Sequence, residues 1–123
     1  MTDMEGFLLN VRVHAANIHD TVAGGAVFKE ACWKYPSIKG VCADAGYRKT
    51  FEAACVEIDR TVDISERIKP TWEILPKRWR VERTFAWLNG WRRLSKDYEI
   101  TTASAESFTY IAHFNTLLRR FVA

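Results

Sequence analysis

An α/β fold, a mixed sheet flanked by helices, is what this 123-residue sequence predicts. Three observations predict it. Residues 6–15 alternate in polarity, the signature of a half-buried strand. Val41, Cys42 and Ala43 form a short apolar run stopped by Asp44 and Gly46, as in a buried strand that ends on an acid. Residues 78–94 carry apolar side chains at helical spacing. The length allows one domain, residues 1–123. With 48% hydrophobic residues, the chain can bury a core and is too apolar for disorder.

The elements follow in order. In residues 6–15, Leu9, Val11, Val13 and Ala15 face one side and Asn10, Arg12 and His14 the other. Residues 21–25 read as a flexible connection. Residues 27–33 read as a short helix, ended by Tyr35-Pro36. The Val41–Ala43 strand follows, then one or two helical turns over residues 48–54. Residues 56–62 read as another strand, and residues 63–76, polar and bounded by Pro70 and Pro76, as a loop. Residues 78–94 form the strongest helix. At about 100° per residue, Val81, Thr84, Phe85, Leu88 and Trp91 make an apolar stripe beside Arg78, Glu82, Asn89 and Arg93. Residues 103–122 form a second helix. Its apolar surface is wide enough to need cover from the sheet or from a partner chain.

Composition narrows the function. No apolar run reaches the ~20 residues of a membrane span. No basic stretch followed by an apolar one marks a secretory signal. Cys32, Cys42 and Cys55 are odd in number and lack metal-type spacing, so they read as reduced thiols of a cytosolic protein, two of them in the core. The formal net charge is only +3, but Lys77, Arg78, Arg80, Arg83, Arg92, Arg93 and Lys96 cluster around the single acid Glu82. That local field favours phosphate; the bland alternative is a solvated helix face. Trp79, Trp87 and Trp91 have the chemistry to stack on unpaired bases. Trp87 and Trp91 suit core packing better, which leaves Trp79 as the stacking candidate. His14, His19 and Asp20 read as strand-surface or turn residues in preference to metal ligands.

Asp3, Asp44 and Glu82 are the candidate metal site. Taken singly, Asp44 before Ala-Gly-Tyr could be a turn former, and Glu82 a surface acid. Taken together, carboxylates gathered from distant positions are costly, because like charges ~4 Å apart repel by roughly 4 kcal/mol near a protein surface. A hard divalent cation, often one of a pair, offsets that cost and works on phosphates. Glu82 lies 38 residues beyond Asp44, room for a strand and a loop that return the helix toward the end of the Asp44 strand. Glu5 is a rival to Asp3 by proximity.

The run from Pro76 through Lys77-Arg78-Trp79-Arg80-Val81-Glu82-Arg83-Thr84-Phe85 to Leu88, with Arg92 to Glu99 after it, resembles the C-terminal signature of bacterial DDE transposases of the insertion-sequence-five type. Ala43-Asp44-Ala45-Gly46-Tyr47 and Val13 to Asp20 add to the resemblance, which spans nearly the whole chain. It implies an RNase H-like core in which Asp3, Asp44 and Glu82 hold two Mg²⁺ or Mn²⁺ ions. Such enzymes cleave the 3′ ends of an insertion sequence and join them to target DNA in the bacterial cytoplasm, at the nucleoid. It also implies a homo-oligomer, or association with an upstream transposase product. The family spaces Tyr, Arg, Glu and Lys along this helix. Arg78 and Glu82 fit, while Leu75 and Asn89 stand where Tyr and Lys belong. Asp3 matches the first acid, yet the strand that should carry it, the first and central one, precedes Met1. The resemblance therefore implies either an active portion of a split transposase or a DNA-binding remnant or inhibitor without catalysis.

Overall fold

The computed structural model describes residues 1–65 and 79–122. Helices and a two-stranded parallel sheet make an α/β structure. Two compact units divide the chain: Met1–Ala15 with Ile74–Ala123, and Ala16–Glu73.

The central unit runs α1 (Asp20–Lys34), β1 (Gly40–Ala43), a 3₁₀ turn (Ala45–Tyr47), α2 (Thr50–Glu57) and β2 (Thr61–Ile64). β1 and β2 pair in parallel, Gly40 opposite Thr61 and Ala43 opposite Ile64, with α2 as the crossover. Helix α1 is longer than the short helix expected at residues 27–33. It begins at Asp20, where the His19 side chain accepts from the Thr21 amide, so residues 21–25 are helical and not a flexible connection. The physical reason is close packing. A side chain on Gly24 would meet the Tyr47 ring at 2.7 Å, and one on Gly25 would meet the Ala54 Cβ at 3.1 Å. Phe28 and Phe51 meet at 5.7 Å in the core, and Phe51 takes Tyr47 edge-on at 5.5 Å. Lys29 pairs with Glu57 at 2.5 Å, an exposed pair of little net worth.

The strand expected at residues 56–62 is also shifted. Phe51 and Cys55 are both buried on α2. That spacing carries the helix through Val56 and Glu57 before a turn at Asp59, whose φ of 52° is left-handed. β2 then takes Thr61–Ile64, so Asp63 and Ile64 belong to a strand and not to the expected loop. The rest of that loop lies almost wholly outside the described residues. The three cysteines are free: Cys55 buried, Cys32 half-buried, Cys42 exposed.

The other unit contains α3 (Trp79–Asn89), a 3₁₀ turn (Arg92–Leu94) and α4 (Thr102–Phe121). The helix expected over residues 78–94 therefore stops at Asn89 and resumes as one tight turn after Gly90. Thr101 caps α4 by accepting from the Ser104 amide, and Arg119 and Arg120 sit in its last turn, where cations complement the helix dipole. Thr109, Ala112 and His113 form its buried stripe.

Residues 6–15 do not form a ladder strand. Among the described residues, its backbone partners are the N-terminal residues 1–3: Thr2 and Leu8 form an isolated bridge, the Met1 carbonyl accepts from Leu9 at 3.0 Å, and the Met1 amino group donates to the Asn10 carbonyl at 2.8 Å. Side chains of α4 take other amides: Leu8 N–H donates to His113 Nε2 at 3.1 Å, Val11 N–H to the Tyr110 hydroxyl at 3.2 Å and Val13 N–H to Glu106 at 2.8 Å. Asn10, fully buried, receives the Tyr110 hydroxyl at 2.8 Å. Alternation makes a segment strand-like, but extended backbone needs bonding partners, and here a helix supplies them.

Candidate carboxylate site and nucleic-acid interface

Asp3 opens a tight turn. Its Oδ1 accepts from the amides of Glu5 and Phe7, each at 2.8 Å. Gly6 turns the chain with a φ of 82°, and an added Cβ would meet Arg80, Arg83 and Thr84 atoms at 3.2 Å. The turn is bolted onto α3. Arg83 donates to the Glu5 carbonyl, the buried Thr84 hydroxyl donates to the Gly6 carbonyl, and Arg80 reaches the Met4 sulfur at 3.1 Å. Behind it, the Phe7 ring packs on Trp87, His113 and Phe121 at 5.7–6.2 Å.

That docking fixes the relation of two candidate acids. The Asp3 turn lies on the α3 face formed by Arg80, Arg83, Thr84 and Trp87. Glu82 is exposed in the first turn of α3. At about 100° per residue its side chain leaves the helix roughly 150° away from the centre of that face. The structure therefore does not bring Asp3 and Glu82 together. Nor do the described residues hold any group of three or more His, Cys, Asp or Glu placed to bind a metal ion. Asp3 and Glu82, as arranged on this unit, do not share a divalent cation.

Asp44 stands at the C-terminal end of β1, where the sequence places it. It is exposed, and its Oδ1 accepts from the Gly46 amide at 2.9 Å, capping the 3₁₀ turn. The turn-former role is thus real, and the carboxylate is also presented at a strand end. Burial, then Asp20, then Asp44 push the Tyr47 phenol above its ordinary pKa.

The basic cluster splits into two groups. Arg83 is half-buried and serves the fold: its guanidinium lies 4.5 Å from the Trp79 ring and 5.0 Å from the Trp87 ring while it holds the Glu5 carbonyl. Arg93 is likewise engaged, paired with Glu99 at 2.6 Å and stacked on Phe108 at 4.4 Å. The Arg93 and Ser104 hydrogen bonds hold Glu99 below the usual carboxylate range. Arg92 and Lys96 are exposed, and Arg80 is half-buried. Lys77 and Arg78, with Leu75, lie outside the described residues. Trp79 is 46% exposed, with one ring face against Arg83.

The sequence reading missed His113, Tyr110 and Glu106, the α4 side chains that hold residues 8–13. Their i, i+3/i+4, i+7 spacing on one apolar helix was the available signal. No curated protein and no solved structure matches this chain. Residues 1–113, a span that includes all three acids, match the family described as the transposase DDE domain. DNA transposition is the process this domain serves, and divalent metals are its general cofactor; the chain belongs to the transposase DDE domain family.

Proposed function

We propose that this chain binds DNA as part of an insertion-sequence-five-type transposase with an RNase H-like core. In this reading Asp3, Asp44 and Glu82 are the carboxylates for Mg²⁺ or Mn²⁺, supporting 3′-end cleavage and strand transfer. The observation that carries it is the family match across residues 1–113, which spans every motif acid. The exposed Arg92 and Lys96, together with the half-buried Arg80, supply cationic side chains for phosphate.

A second reading, a DNA-binding transposase remnant or inhibitor without catalysis, is favoured for the chain acting alone by one observation. Asp3 spends its Oδ1 on two backbone amides, and its turn sits on the opposite side of α3 from Glu82. Cleavage would need the Asp3 turn to leave α3, a change that association with another transposase subunit could drive. The test is strand cleavage on labelled element-end DNA in Mg²⁺ or Mn²⁺, with binding measured in parallel. The expected outcome is binding without nicking by the 123-residue chain. Robust nicking, abolished by Glu82→Gln, would overturn the remnant reading and show that the acids converge on DNA.

A further inference from the structure

Between the end of α3 and the C-terminal part of α4 lies a notch of about 280 Å³, lined by Trp87, Gly90, Trp91, Thr116 and Arg119. It is near the small end of ligand sites, which run from ~300 Å³ upward, so it suits one planar ring system. Two of its walls are indoles. The Arg119 guanidinium lies over the Trp91 ring at 5.0 Å. Arg120 lies over Trp87 at 5.3 Å, and Arg83 stacks on Trp87 at 5.0 Å. The Thr116 hydroxyl donates to the Ala112 carbonyl at 2.9 Å and receives the Trp91 indole N–H at 3.4 Å, which fixes the plane of that ring.

Gly90 is the informative residue. A glycine just past a helix end usually supplies a left-handed backbone. Gly90 does not: its φ lies outside the left-handed range, and a Cβ there would meet only the Trp87 carbonyl, at 3.4 Å. The backbone tolerates a side chain at this position. What the missing side chain provides is an open notch beside Trp91.

We propose that this notch receives one unpaired nucleobase of single-stranded DNA. The base takes the place of the Arg119 guanidinium on the Trp91 ring. Arg119 then moves to the outer face of the base or to its phosphate, with Arg120 and Arg92 exposed nearby on the same unit. Indole faces accept any base, since every base has a π-face, and an arginine adds cation–π and phosphate contacts. The proposal rests on the DNA reading above and adds a specific subsite and ligand, distinct from the exposed Trp79.

The test compares two duplexes of identical charge. One carries a five-nucleotide thymidine overhang, the other the same overhang without bases. The 123-residue chain is expected to bind the intact overhang roughly tenfold more tightly, the effect of one stacked base. Gly90→Phe, which fills the notch, should erase that preference and leave blunt-duplex affinity unchanged, while Gly90→Ala should keep most of it. Equal affinity for the two overhangs, with the duplex bound, overturns the notch and leaves the DNA reading standing. So does a preference that survives Gly90→Phe in a variant with unchanged melting temperature. Failure to bind any of the DNAs at low salt overturns both.

Discussion

His113 is 6% exposed, and its Nε2 accepts the Leu8 amide proton. An acceptor nitrogen carries no proton, so this bond requires the neutral ring. Burial pushes the imidazole below its ordinary value of 6.5, partly opposed by the Asp3 charge. The unfolded chain then takes up a proton before the folded one does. Stability from this group is therefore complete above about pH 6.5 and declines as pH falls through that value toward the lower folded pKa. Urea midpoints should drop between pH 7 and pH 5, and His113→Gln, which keeps an acceptor but cannot titrate, should shrink the drop. An identical pH profile in the variant would show that His113 is not the sensor. Thr84 gives a second residue-scale expectation. Its buried hydroxyl joins the Gly6 carbonyl to α3, and Thr84→Val leaves that carbonyl without a donor at a cost of about 1–3 kcal/mol. Thr84→Ser should recover most of the loss in denaturant unfolding. Neither residue stands out in the sequence, because a buried Thr on a helix reads as part of an apolar stripe. Asp44 was legible, because a strand stop and a turn former are local properties.

Among the elements, α1 shows where local propensity yields to packing. Two adjacent glycines cost a helix about 1 kcal/mol each relative to alanine, which is why residues 21–25 read as a connection. The helix persists because α2 and Tyr47 come close to Gly24 and Gly25. Gly24→Ala should therefore destabilise the chain by about 1 kcal/mol, the overlap with the Tyr47 ring outweighing the gain in helix propensity. A raised melting temperature would mean the ring moves aside at no cost. The α3 stripe was only half right. Thr84 is its buried member, whereas Val81 is 43% and Phe85 66% exposed. On α4, Ile111, Phe114 and Leu118 are exposed as well. A helical period tells which residues share a face, and only neighbouring elements decide which face is covered.

For the molecule as a whole, the basic run is the feature most open to misreading, because identical arginines do different work. Arg83 and Arg93 hold tertiary contacts; Arg92 and Lys96 face solvent. Duplex binding should weaken steeply with salt, and Arg92→Ala with Lys96→Ala should flatten the slope by about 0.9 per lost phosphate contact while leaving the melting temperature unchanged. Arg83→Ala should instead lower stability, through the lost Glu5 contact and the two indole stacks. If Arg83→Ala alone flattened the slope in a fully stable chain, the division of labour would be reversed. The sequence by itself determined the α/β class, the strand ending on Asp44, the helix expected at residues 103–122, the first three turns of the one expected at 78–94 and, through the Glu82 block, the family. Each depends on residues close together in the chain, where pattern and turn chemistry act directly. Tertiary structure alone decided that residues 6–15 bond to α4 side chains and not to a neighbouring strand. It alone set the Asp3 turn across α3 from Glu82, and tied Arg83 and Arg93 into tertiary contacts. Those outcomes depend on which backbone amides, carbonyls and ring faces meet across distant segments, and no local pattern records such meetings.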